Sequence, residues 1–196
     1  MRILASVVIL VLTAALPYKQ SATESKCFLQ ELAIDAALGD SVAQHNLGVE
    51  FHRGVNVERD YSKAATLWRL SSSAGVIESY NNLGHLTYYG RGVKQDFAEG
   101  LRLWRIAAEK GFAESQVHIG YAYSDGKHLK QDYIEAYAWA KVGKHYTSQM
   151  EDAHVGKAVL EMAEKLLDDA GKRLTEGQMK EAERKASEYI AKYGRK

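Results

Sequence analysis

Glycine and aspartate recur along this chain with a fixed period, and that period dictates what the chain can fold into. Gly48, Gly84 and Gly120 are each 36 residues apart, as are Gly54, Gly90 and Gly126, Asp60, Asp96 and Asp132, and Gly39, Gly75 and Gly111. Between these columns the residue types agree as well: Leu47, Leu83 and Ile119; Tyr61, Phe97 and Tyr133; Ala64, Gly100 and Ala136. A period of this length marks a chain built from one supersecondary unit, in which each unit buries its apolar face only by stacking on its neighbours.

Each unit reads as two helices. Helix A runs from about Ser41, Ile77 or Ala113 to about His52, Tyr88 or Ser124, a glycine-containing loop follows, and helix B begins at the aspartate. Aspartate suits that place because its carboxylate accepts from the free amides of the first turn. Asp96 with Glu99 and Asp132 with Glu135 have the spacing of a capping box, whereas Asp60 is followed by Lys63. Helix B carries one apolar stripe, Ala64, Leu67, Trp68, Ser71 and Ser72 in the first unit, with Gly100, Leu103, Trp104, Ala107 and Ala108 in the second. Gly39, Gly75 and Gly111 are expected to close helix B in a left-handed conformation. A single proline in the chain agrees with long helices.

Gly48, Gly84 and Gly120 fall inside helix A, where glycine costs about 1 kcal/mol relative to alanine. Glycine kept there in three successive units implies that a side chain would collide with a neighbouring helix. Gly84→Leu is therefore expected to destabilise through overpacking.

The segment "SYNNLGHLTYYGRGVKQDFAEGLRLWRIAAEKG" resembles the Sel-1-like repeat (SLR), a relative of the tetratricopeptide repeat, and the resemblance extends over roughly residues 27 to 146. It implies an all-α, TPR-like α/α superhelical solenoid of Sel-1-like repeats of 36 residues with helical end caps. The expected organisation is an N-terminal half repeat at 27–39, repeats at 40–75, 76–111 and 112–147, and C-terminal capping helices at 148–196. The chain departs from the pattern at Asn56 and His128, where the family has glycine. Trp139 stands seven residues after its aspartate where Trp68 and Trp104 stand eight after theirs, and "KVGKHYT" replaces the closing "AAxxG". Beyond Thr147, Val155, Ala158, Val159, Met162, Ala163, Leu166, Leu167 and Ala170 form one apolar face. A last helix starts at "LTEGQ", with Thr175 and Gln178 as its capping box. Met179, Ala182, Ala186, Ile190 and Tyr193 would face inward there, and Lys180, Glu181, Glu183, Arg184 and Lys185 would face solvent.

The opening residues differ from the rest. Arg2, an apolar run from Ile3 to Leu16 and small residues at Thr13–Ala15 have the form of a secretory signal peptide, 1–22, cleaved near residue 15 or 22. The run is shorter than the ~20 residues that span a bilayer. A periplasmic or secreted location is expected, with no membrane association after cleavage. Cys27 is the only cysteine, so no intrachain disulfide can form. Lys and Arg number 26 against 25 Asp and Glu, interspersed, which gives no basic footprint for nucleic acid.

Phosphate loops, HExxH and CxxC pairs are absent from the sequence. His45 and His52 lie about two turns or ~10 Å apart on one helix, too far to share an ion. His85 and His118 can approach each other from adjacent A helices, but no acidic or thiol partner completes a tetrahedron. No metal or cofactor is expected, and no catalytic activity. The A helices instead offer stripes of His45, Val49 and His52; Asn81, His85 and Tyr88; and Val117, Tyr121 and Ser124, beside a column of Asn46, Asn82 and His118. His45, Val49, His52, Asn81, His85, Tyr88, His118 and Tyr121 are the candidate partner-binding residues on a concave A-helix face. The resemblance implies an adaptor for a protein or peptide partner. It also carries two alternatives: an immunity protein that neutralises a type VI secreted effector, and a β-lactam-binding envelope hydrolase. The cysteine pairs that staple members of the latter kind are missing from this chain.

Overall fold

In the computed structural model residues 22–147 and 153–193 are described, and among them are nine helices and no strand. Helix α1 (Ala22–Ala37) precedes three helix pairs, α2 (Ser41–Arg53) with α3 (Tyr61–Ser73), α4 (Ile77–Tyr89) with α5 (Phe97–Glu109), and α6 (Ala113–Asp125) with α7 (Tyr133–Thr147). Helices α8 (Ala153–Gly171) and α9 (Glu176–Tyr193) follow. The expected leader, but for Ala22, lies outside the described residues. No described helix is long and apolar enough to cross a membrane.

The glycine inside helix A is a tryptophan seat. A Cβ on Gly48 would stand 2.5 Å from Trp68 Nε1, and one on Gly84 2.7 Å from Trp104 Cδ1. With no side chain in the way, each indole lies across helix A and donates its N–H to a backbone carbonyl there, Trp68 to His45 at 3.1 Å and Trp104 to Asn81 at 3.2 Å. Both indoles are almost fully buried. The aspartates latch the other end of each pair. Their backbone N–H groups donate back to helix A (Asp60 to Phe51 O, Asp96 to Thr87 O, Asp132 to Tyr123 O), while their carboxylates accept from the first turn of helix B.

The capping boxes expected at Glu99 and Glu135 do not close. Glu99 is taken by Arg102, at 2.6 and 2.8 Å, and Glu135 accepts from Lys185 and Tyr189 of α9. Thr175 and Gln178 do form theirs, each bonding the other's backbone amide through its side chain. Gly39, Gly75 and Gly111 have φ of 96°, 95° and 79°, the left-handed conformation that ends helix B.

Successive pairs are joined by buried polar bonds. Gln44 Nε2 donates to Ala36 O and, two units on, Gln116 Nε2 to Ala108 O. Ser79 donates to Ser71, which donates to Ser41 O.

The third pair is built differently. The position of Trp68 and Trp104 is held by Ala140, and the space is filled by Leu166 of α8, whose Cδ2 would be 2.8 Å from a Cβ on Gly120. Trp139 faces away instead and packs on Tyr189 and Tyr193 of α9, ring centroids 4.8 and 5.7 Å away. Helix α8 thus lies against α7 and α6, and α9 lies against α7. Two sequence expectations are corrected here. Val155 and Ala158 are exposed, because α8 meets α6 and α7 through Val159, Ala163, Leu166 and Ala170, with Met162 and Leu167 half-buried beside them. Glu183 and Lys185 are not left to solvent, because α7 supplies Lys141 and Tyr137 for the first and Glu135 for the second.

Candidate functional site

A helix has more than one exposed flank, and the next unit covers one of them. The column His45, Asn81, Val117 lies on the covered flank. His45 Nδ1 is 2.8 Å from Ser79 Oγ of the next A helix, and Ser115 Oγ donates to Asn81 Oδ1 at the same distance one unit later. Asn81 is 2% exposed and Val117 fully buried, so this column is the seam between A helices rather than a projecting edge. Tyr88 is 6% exposed, its ring packed on Phe97 and Trp104. Val49 packs against the core around Trp68. Tyr121 is a strut, its hydroxyl donating to Met162 O of α8 at 3.0 Å.

The remaining candidates come together on the A-helix side. His52 sits between Tyr61 and Trp68, with centroids 5.3 and 5.4 Å away. His85 and His118 meet as expected, 5.9 Å apart, with His118 stacked on Trp104 at 4.7 Å. Glu114, one turn before His118, places Oε1 3.6 Å from His118 Nε2 and accepts from Asn81 Nδ2 at 3.0 Å. Two clefts open along this side. One, of about 150 Å³, is lined by His52, Trp68, Asn81, Asn82, His85, Arg91 and Glu114. The other, of about 310 Å³, lies among Tyr88, Tyr89, Trp104, His118, Tyr121 and Asp125. A further cleft of about 290 Å³ opens between α3, α4 and α5 near Arg69, Lys94 and Glu99.

Burial sets the charge state of these imidazoles. It lowers the pKa of His85 to about 4, helped by His118 and Arg91. It lowers that of His45 against the opposing pull of Glu78, and that of His52 together with Arg91, Arg59 and Arg53. Burial opposes ionisation of Glu114, but His118, then His85 and the Asn81 amide outweigh it and hold the carboxyl below its usual range. Near neutral pH His45, His52 and His85 are therefore uncharged imidazoles, each with one nitrogen that donates and one that accepts. Among the described residues no group of three His, Cys, Asp or Glu is placed to hold a metal ion.

Tyr89, Arg91, Glu114, Asp125 and Lys127 line the clefts and were not singled out from the sequence. For Glu114 a signal was there, an acid one turn before His118. The others sit in the last turn of helix A or just beyond it, past the stripes that the sequence marks as far as Tyr88 and Ser124.

The family model described as Sel1 repeat matches residues 41–76, 77–112 and 113–141, just over half of the chain. The chain belongs to the Sel1 repeat family, whose members generally serve as protein–protein interaction modules and are typically non-catalytic. Among solved structures it is similar to a protective antigen present in uropathogenic Escherichia coli strains, which displays an SLR fold. The TM-score is 0.71 at 30% identity, over 84% of this chain and 33% of that one. A Sel1 repeat protein from Oxalobacter formigenes shares the fold with a TM-score of 0.54 at 22% identity, over 67% of this chain and 52% of that one. The chain thus spans about a third of the first and about half of the second. No curated protein matches it.

Proposed function

We propose that this protein is an exported interaction module that works in the bacterial envelope by holding a protein or peptide partner in the groove along its A helices. The observation that carries this reading is the pair of clefts running from His52 to Asp125, lined by groups the fold leaves available: Asn82, His85, Tyr89 and Arg91. The basic start and the apolar run from Ile3 to Leu16 support export. The module acts by binding and not by turnover.

Affinity capture from envelope extract tests the reading, with the wild type compared to a variant carrying His85→Ala and Tyr89→Ala, and thermal melts confirming that both fold. A partner held by the wild type and lost by the variant is expected. A partner held equally by both would move the site to the B helices or the terminal helices. Recovery of the protein with the cytoplasmic fraction would contradict the envelope location.

A further inference from the structure

The smaller cleft has an edge of uncompensated positive charge. Arg53, Arg59 and Arg91 are exposed, all three act on the His52 ring, and none makes an ion pair among the described residues. Several bases elsewhere have acids within reach, as Arg102 has Glu99 and Lys185 has Glu135, while single bases without an ion pair among the described residues, such as Arg69 and Arg173, lie on other parts of the molecule. Glu50, on the helix that carries Arg53, is engaged by Asn56 instead, at 2.9 Å.

The fold brings these arginines together by a device visible in one unit alone. Gly92 has φ of +69°, and a Cβ on it would stand 2.5 Å from the Tyr61 backbone carbon. The loop of the second unit therefore lies directly on the start of α3 and carries Arg91 to the first unit's edge. The matching positions in the other units are Asn56 and His128, the two departures from the family's glycine. The side chains are also steadied. Arg59 donates to Arg53 O at 3.0 Å with its guanidinium 5.9 Å from the Tyr61 ring centre, and Arg91 lies 5.8 Å from that of Tyr89. Among the described residues no other hydrogen bond engages their guanidinium groups.

We infer that Arg53, Arg59 and Arg91, around His52, form a recognition site for an acidic segment of the partner protein, its carboxylates held by the guanidinium forks. Guanidinium pairs with carboxylate bidentately, which gives orientation as well as attraction. The cleft behind the arginines, about 150 Å³ with Trp68, Asn82 and His85 in its walls, has room for a side chain, and the one carboxylate in its lining, Glu114, is already engaged by Asn81 and His118. This inference rests on the groove reading above and names the chemistry of what the groove holds.

A fluorescein-labelled, N-acetylated decapeptide of alternating Glu and Gly is the probe, with Gln in place of Glu as its neutral control. The Glu peptide should bind, more weakly as salt rises, and the Gln peptide should not. Arg59→Gln with Arg91→Gln should weaken binding at least tenfold, while Arg173→Gln, remote on the C-terminal side, should leave it unchanged. Binding should also raise the pKa of His52, read by NMR, because carboxylates offset the charge of Arg91, Arg59 and Arg53, with His85 and Tyr61 the other titratable groups facing that ring. Equal binding to the double variant, or no binding of the Glu peptide, would overturn the inference. Arginine-dependent binding of phosphatidylglycerol vesicles or inorganic phosphate in place of the peptide would overturn the choice of occupant. An envelope partner lost by the His85/Tyr89 variant yet retained by the arginine variant would remove the acidic site and leave the groove standing.

Discussion

The first two helix pairs and the third solve the same packing problem in different ways. In the first two, helix B supplies the tryptophan that rests on the glycine of helix A, so each pair is locked from within. In the third, the tryptophan is displaced by one residue, and the glycine is covered by Leu166 from outside the pair. The displaced Trp139 becomes the platform for α9. One residue's shift thus turns a repeat that continues the array into one that receives a cap. A solenoid needs such an end, because an uncovered terminal unit exposes the face its neighbour would bury.

The largest effect should come from filling the tryptophan seat. Gly84→Leu is expected to cost about 3 kcal/mol through overpacking, read as a shift of the urea midpoint. Gly84→Ala should cost more than Gly120→Ala, because a fixed indole blocks the first at 2.7 Å, whereas the nearest obstacle to the second is the end of a leucine side chain, with the Ala136 carbonyl oxygen next at 3.0 Å. Equal costs would erase the distinction between the pairs. Leu166→Ala should lose about 3 kcal/mol by leaving a cavity, with hydrogen exchange rising in α6 and α7 before α2 and α3. Uniform exchange would show that the cap stabilises the array as a whole. Trp104→Phe should cost about 1 kcal/mol more than Trp139→Phe, since only the first loses a buried N–H bond to a backbone carbonyl. Removing the half-exposed Lys141–Glu183 pair should cost below about 1 kcal/mol.

Acid should act on the A-helix clefts through His85. Its folded pKa of about 4 lies below the ordinary 6.5, so the unfolded chain binds the proton more readily and stability is lost as pH falls through that window. A shallow decline in melting temperature between these pH values, flattened by His85→Ala, is the expected outcome.

The period, the paired helices and the reason for the interior glycine were legible in the sequence, because each is fixed by local residues or by their recurrence. Leu166 at Gly120 was not, since it lies 46 residues away and out of register. The same limit explains the open capping boxes: Glu135 fits its local motif but is claimed by Lys185 and Tyr189 from α9. On the A helices the sequence named a face without saying how much of it the next unit would cover. Asn81 therefore went to the seam and Tyr88 largely to the core, while His52, His85 and His118 remained at the clefts. Gly92 was legible only as a departure of its counterparts Asn56 and His128. Its consequence, the approach of Arg91 to the first unit, needed the loop's three-dimensional path.

The central claim is that the A-helix side carries the partner. Its most direct test is photo-crosslinking in living cells, with a benzophenone amino acid placed singly at Tyr89, on the rim of the larger cleft and 48% exposed, or at Leu70, on helix B and 50% exposed. A discrete crosslinked species from position 89 and none from position 70 is the predicted result. A species formed from position 70 alone would contradict the account.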